Sequence, residues 1–185
     1  MKSAENLIIK ATQELIANNI ISARLDAEII LSSILKTQRL NLISNINQNI
    51  NLEKEILFKN LIDRRKNNEP IAYITNNRSF WNENYYIDKR VLIPRPETEI
   101  LIDMVIKKIN NLNKKLHILD LGCGSGCLLI SLIKYFKNSY GVGLDVSKDA
   151  LVIFRKNIYK YNLSNKIKII HGDIKTWFTA RGQAN

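Results

Sequence analysis

The chain has 185 residues, 45% of them hydrophobic, and a formal net charge of +11, which is enough length for one domain or two small ones with real cores. No run approaches the roughly 20 apolar residues of a membrane span, and the start, Met1-Lys2-Ser3-Ala4-Glu5-Asn6, lacks a signal-peptide pattern, so a soluble, cytoplasmic protein is expected. The positive charge attracts phosphates, but the lysines are spread without a tight cluster and the Lys, Asn and Ile usage follows an AT-rich bias, so charge favours an acidic or ribosome-associated partner only weakly.

The first part of the chain reads as helices. Ser3 caps a helix whose apolar residues Leu7, Ile8, Ala11, Leu15 and Ile16 recur at helical spacing and which ends near Asn18-Asn19. A second runs from about Ser22 to Leu35, with Leu25, Ile29, Ile30 and Ile34 on one side and Asp26 and Glu28 in its early turns. A third begins at Asn51 and carries Ile56, Leu57, Leu61 and Ile62 to the basic end Arg64-Arg65-Lys66. Residues 1–68 therefore read as a small helical bundle with no catalytic constellation, which suits substrate recognition.

Glu69-Pro70 breaks that pattern. Ile71 to Thr75, a turn at Asn76-Asn77, then Ser79-Phe80-Trp81 and Tyr85-Tyr86-Ile87 read as a β-hairpin, making residues 69–93 a linker. Its aromatics suit the packing of neighbouring parts better than the stacking of a base. In Val91-Leu92-Ile93-Pro94-Arg95-Pro96-Glu97-Thr98-Glu99 two prolines fix an extended entry to a helix whose apolar side is Ile100, Leu101, Met104, Val105 and Ile109.

The chemistry concentrates in His117-Ile118-Leu119-Asp120-Leu121-Gly122-Cys123-Gly124-Ser125-Gly126-Cys127-Leu128. An apolar run ends in Asp120, glycines follow at every second position, and a helical pattern begins at once, as when a buried parallel strand turns into a helix across a ligand loop. The spacing is Gly-x-Gly-x-Gly, unlike the Gly-x-Gly-x-x-Gly of dinucleotide sites, and no Gly-Lys-Ser/Thr follows as in a phosphate-binding P-loop. It resembles the first motif of Rossmann-like S-adenosylmethionine-dependent methyltransferases. Tyr140-Gly141-Val142-Gly143-Leu144-Asp145 reads as the next strand, ending in an acid about 20 residues on, where the design puts a carboxylate on ribose hydroxyls. Ser147 can cap the helix that follows, leaving that carboxylate free for a ligand. The two cysteines, Cys123 and Cys127, read as reduced small residues, since a disulfide would strain the loop and only His117 and His171 are available to complete a metal site.

Taken together, Arg64-Arg65, Glu69-Pro70-Ile71-Ala72-Tyr73-Ile74, Phe80-Trp81, Leu92-Ile93-Pro94-Arg95-Pro96-Glu97-Thr98-Glu99 and Asp120 to Gly126 resemble, in order and spacing, the peptide chain release factor glutamine methyltransferases. The resemblance implies an α/β fold: a helical release-factor-recognition domain (1–68), a hairpin linker (69–93) and a partial Rossmann-like domain (94–185) that binds S-adenosyl-L-methionine. It implies methyl transfer to the side-chain amide nitrogen of the Gln in the Gly-Gly-Gln loop of a release factor. Carried over by position, Asp120, Gly122, Cys123, Gly124, Ser125 and Gly126 cradle the cofactor, Asp145 takes its ribose, Asp173 lies by the adenine, and Arg95, Glu97 and Thr98 sit near the methionine end.

The family's catalytic Asn-Pro-Pro-Tyr, expected soon after Asp173, does not occur before the chain stops at Asn185, and the tail from Thr179 onward departs in texture from what precedes it. The expectation is therefore a cofactor half-site without its catalytic loop. The strand holding Ile118 to Leu121 is then an exposed apolar edge, and the C-terminal half is prone to association or loose folding. Two other readings stand beside this one: a nucleic-acid amino-group methyltransferase, which suits the charge, and a non-catalytic fragment that docks on a release factor through its helices.

Overall fold

The computed structural model describes residues 2–176; residue 1 and residues 177–185, which contain the divergent tail, lie outside the described residues. The chain divides into two compact units, Met1–Thr75 and Asn76–Asn185, each with its own core.

The first unit is built from α1 (Ala4–Ala17), α2 (Ala23–Leu35), α3 (Arg39–Ser44), α4 (Leu52–Lys66) and α5 (Ile71–Ile74), with a short antiparallel pair of β1 (Lys2–Ser3) and β2 (Asn49–Ile50). The expected caps are in place: Ser3 Oγ accepts the Asn6 N–H and Asn51 Oδ1 accepts the Lys54 N–H. The buried faces differ from the expected ones in α2 and α4. Helix α2 packs on both α1 and α4, so its buried stripe is Ala23, Ala27, Ile30 and Leu31, where small residues permit close approach, while Leu25 is exposed. Helix α4 buries Phe58 and Ile62 and exposes Ile56 and Leu57, because about 100° per residue turns those two away from the Phe58 side. In α1, Ile16 is likewise exposed.

Asp26 and Glu28 do not merely complement a helix dipole. Both are buried and neutralised: Asp26 accepts from Arg65 Nε and the Ser22 hydroxyl, each at 2.8 Å, and Glu28 from Arg24 Nε at 3.0 Å and Arg39 Nε at 2.7 Å. Ile71 to Thr75, expected as a strand, instead forms the single helical turn α5, with the Tyr73 and Ile74 N–H groups on the Pro70 carbonyl. Burial of Ile74 in the helical core overrides the β propensity of the segment.

The second unit opens with a hairpin of β3 (Arg78–Phe80) and β4 (Glu83–Tyr85), register Phe80 to Glu83. Its turn is Trp81-Asn82, both left-handed at φ 43° and 63°, the two-residue geometry that matches strand twist, rather than Asn76-Asn77. The aromatics pack inside this unit: Phe80 and Tyr85 are buried, and Trp81 stands edge-on to Tyr135 while its indole N–H meets Asp103 at 3.1 Å. A 3-10 turn (Pro96–Thr98) leads into α6 (Glu99–Ile109). That helix buries Ile102 fully and Val105, Ile106 and Ile109 in part, whereas Ile100, Leu101 and Met104, assigned above to its apolar side, are exposed.

Three parallel strands follow, β5 (His117–Leu121), β6 (Tyr140–Asp145) and β7 (Ile167–His171), in the spatial order β5-β6-β7 and joined by α7 (Cys127–Tyr135) and α8 (Lys148–Lys160). This is the 3-2-1 half of a doubly wound sheet. Among the described residues β5 is an edge strand, and its Leu119 and Leu121 are exposed. Gly141 and Gly143 share the face of β6 that meets the connecting helices: a Cβ there would stand 2.6 Å from Leu129 and 2.2 Å from Phe154.

Candidate cofactor site

The C-terminal ends of β5, β6 and β7 lie side by side, with Leu121 opposite Leu144 and Asp145 opposite His171. In open α/β sheets this is the edge over which ligands bind. The glycine loop lies there, pinned to β6: the Gly122 and Cys123 N–H groups share the Leu144 carbonyl at 2.8 and 3.1 Å, and the Gly126 N–H turns back to the Cys123 carbonyl at 2.7 Å.

All three loop glycines have positive φ, at 74°, 52° and 77° for Gly122, Gly124 and Gly126, a region side chains strain to enter. Their surroundings separate them. A Cβ on Gly122 or Gly124 would meet nothing within 4 Å, while one on Gly126 would lie 1.9 Å from the Phe154 ring. The first two glycines thus leave open space into which a ligand fits, and the third lets α7 and α8 close on one another.

Asp145 is nearly buried, and its carboxylate is already engaged. Oδ2 accepts the Gly124 N–H at 2.8 Å and Oδ1 the Ser147 N–H at 2.9 Å. Ser147 does cap α8, its Oγ accepting the Ala150 N–H, but Asp145 is not left free by that; it ties the loop to the strand end. Each oxygen retains acceptor capacity for a further donor.

Asp120 sits half-buried at the head of α7. Burial pushes its carboxyl up to about 6 from 3.8; a hydrogen bond from the Leu129 backbone works against that, and the Asp145 charge adds to it. Among the described residues neither Asp120 nor Asp145 has an ion-pair partner. Ser125 is buried. Cys123 and Cys127 are free thiols, and burial raises both, Cys127 to about 11 and Cys123 further, so they stay protonated and inert, as expected for small packing residues.

Asp173 lies just past β7, exposed, where it accepts the Lys175 N–H and opens a turn. Arg95 precedes the 3-10 turn and Thr98 closes it, with the Thr98 N–H on the Arg95 carbonyl; Arg95 is exposed and Thr98 half-buried, and among the described residues no hydrogen bond draws either to the loop. Asp120, Gly122 to Gly126 and Asp145 form one hydrogen-bonded and electrostatically coupled group.

One contributor escaped the sequence reading. Asn157, wholly buried in α8, donates to the Ser125 carbonyl at 2.9 Å. Its signal was available, since an Asn stands within the apolar stripe Ile153, Phe154, Ile158, where an amide persists only with buried partners.

Comparison with known proteins is consistent with both units. Residues 6–75 match the family model of the PrmC N-terminal domain and residues 118–184 that of a methyltransferase domain. The release factor glutamine methyltransferase of Clostridium botulinum is 36% identical over 172 residues, covering 93% of this chain and 60% of its own. That of Buchnera aphidicola is 42% identical over 144 residues, covering 77% and 51%. A bifunctional methyltransferase of Rickettsia conorii is 33% identical over 199 residues, covering 95% and 37%. The chain spans between 37% and 60% of the length of these relatives. Among the described residues no helix is long and apolar enough to cross a membrane.

Proposed function

We propose that this chain, which belongs to the release factor glutamine methyltransferase family, serves the transfer of a methyl group from S-adenosylmethionine to the side-chain amide nitrogen of the glutamine in a release factor's Gly-Gly-Gln loop. The observation that carries this reading is the pair of carboxylates Asp120 and Asp145, without an ion-pair partner among the described residues, beside two glycines that face open space.

S-adenosylmethionine, when bound, supplies a methyl group on a sulfonium centre, and it also carries an ammonium group. A site whose two carboxylates, half-buried Asp120 and nearly buried Asp145, meet no ion-pair partner among the described residues suits such a ligand. Gly122 and Gly124 keep the loop backbone open to it. Asp145, while holding the loop through Gly124, offers its remaining lone pairs to the ribose hydroxyls. Asp120 gains its charge fully as a positive group approaches. Ser125 and Gly126 fix the loop from below, Asp173 borders the adenine side, and Arg95, Glu97 and Thr98 the methionine side. Residues 1–75 act as the module that recognises the release factor.

An amide nitrogen is a weak nucleophile because its lone pair is delocalised into the carbonyl, so it must be aligned with the breaking bond by acceptors for its hydrogens. The resemblance assigns that task to an Asn-Pro-Pro-Tyr segment that follows the position of Asp173.

The test is calorimetric titration of the full chain with S-adenosylhomocysteine, alongside an assay of methyl transfer to a release factor. Saturable binding is expected, weakened at least about tenfold in Asp145→Ala through loss of charge-assisted hydrogen bonds. Absence of binding by the unaltered chain would overturn the reading.

A further inference from the structure

Four consecutive residues at the end of the hairpin are each held by a side chain of the sheet unit. Glu83 pairs with Lys134, the Asn84 carbonyl accepts the Tyr161 hydroxyl at 2.6 Å, and the Tyr85 hydroxyl meets Ser131 Oγ at 2.6 Å. The fourth is Tyr86, whose backbone N–H and carbonyl are both taken by Asn157, at 2.8 and 3.0 Å. The first three contacts anchor the hairpin. The fourth reaches further, because the same Asn157 Nδ2 also donates to the Ser125 carbonyl at 2.9 Å, within the glycine loop.

Asn157 is 0% exposed, so its own amide has no water partner to fall back on if one of these bonds is lost. A single rigid amide with one acceptor and two donor hydrogens therefore fixes the Tyr86 peptide and the Ser125 peptide against each other. From Tyr86 the chain runs on through Ile93-Pro94-Arg95 to the 3-10 turn, while Ser125 stands between the open Gly124 and the packed Gly126.

We propose that Asn157 is a positioning residue that sets the conformation of the cofactor loop from the hairpin, a role that rests on the cofactor reading above. It touches neither cofactor nor substrate on that reading; it holds Ser125 so that the Gly122 to Gly124 backbone stays open. No other side chain of similar size substitutes. Aspartate keeps the acceptor for the Tyr86 N–H but presents a charge to two carbonyls, and alanine strips the partners from three backbone groups, two of them part-buried and one buried.

The test compares the full chain with Asn157→Asp and with Ser131→Ala, a variant that loses a hairpin anchor without touching the loop. First, amide hydrogen exchange is followed without ligand. Asn157→Asp is expected to speed exchange of the loop N–H groups of Gly122, Cys123, Gly124 and Gly126 about tenfold, the equivalent of one lost buried hydrogen bond, while Ser131→Ala leaves them at the wild-type rate. Equal effects of the two variants, or an unchanged loop in Asn157→Asp, would overturn the proposal. If Asn157→Asp does not fold, exchange in the unaltered chain decides: S-adenosylhomocysteine is expected to slow the Tyr86 N–H together with the loop, and loop protection without Tyr86 protection refutes the link. Second, S-adenosylhomocysteine affinity is expected to fall about tenfold in Asn157→Asp at neutral pH and to approach wild type as the pH is lowered, because the neutral carboxyl regains a donor. Ser131→Ala is expected to lower the melting temperature at unchanged affinity. Failure of the unaltered chain to bind would count against the cofactor reading, and the ligand-free exchange would still judge Asn157.

Discussion

The two units bury carboxylates in opposite ways. In the helical unit Asp26 and Glu28 meet arginines donated from α3 and α4 and from their own helix, so each is answered by at least one guanidinium. In the sheet unit Asp120 and Asp145 meet backbone N–H groups and one another's field, and among the described residues no cation answers them. Desolvating a charge is costly. Where a carboxylate is matched inside the fold it serves structure; Asp120, left without a cation, ionises against its burial, a cost that a positively charged ligand on the proposed reading would relieve.

The sharpest way to break this comparison is to unmatch a carboxylate in the helical unit. Arg65→Ala leaves Asp26 buried without its guanidinium and is expected to destabilise that unit by about 3–5 kcal/mol, read from chemical denaturation. A loss below about 1 kcal/mol, the range of surface pairs, would mean that the pair is solvated and the contrast false.

The glycines offer a second break. Gly126→Ala drives a methyl into the Phe154 ring and forces a side chain to φ 77°, together about 3 kcal/mol, whereas Gly122→Ala bears only the backbone term of about 1–2 kcal/mol. Thermal melts of the two variants beside S-adenosylhomocysteine titrations check this. Gly126→Ala is expected to lose stability and Gly122→Ala chiefly affinity, and the reverse ranking would exchange their roles.

The third sharpens the comparison by removing the unmatched charge. Below about pH 4 the Asp120 carboxyl is protonated in folded and unfolded chains alike. As the pH rises through about 6 the native carboxyl ionises against its burial, and the stability associated with the protonated form is lost. Asp120→Asn is expected to abolish that slope and to stabilise the fold by about 2–3 kcal/mol at neutral pH, while weakening cofactor binding. Stability measured across this pH range decides it; destabilisation at neutral pH would make Asp120 a structural group like Asp26.

Much of this was legible in the chain itself. Ser3, Asn51 and Ser147 marked helix starts because a side-chain oxygen next to orphan N–H groups is a local interaction. The strand, loop and acid at Asp120 to Gly126 and the second acid at Asp145 were legible for the same reason, since φ above zero and a strand end are properties of a few neighbouring residues. The turn at Trp81-Asn82 was not, because neither residue is the Gly that such a turn favours, and Asn76-Asn77 looked the better signal. Ile71 to Ile74 misled through β propensity that a buried Ile74 overrode.

The sequence by itself determined the order and kind of the main elements, the parallel α/β half and the place of the glycine loop, all of which depend on short-range periodicity and backbone chemistry. Only the tertiary structure decided which faces are buried in α2, α4 and α6, that Asp26 and Glu28 are neutralised while Asp120 is not, that Gly126 serves packing, and that Asn157 joins Tyr86 to Ser125 across 71 and 32 positions. Those outcomes depend on which distant atoms arrive beside a residue, and charge and packing at a buried position take their energy from those neighbours rather than from the residue alone.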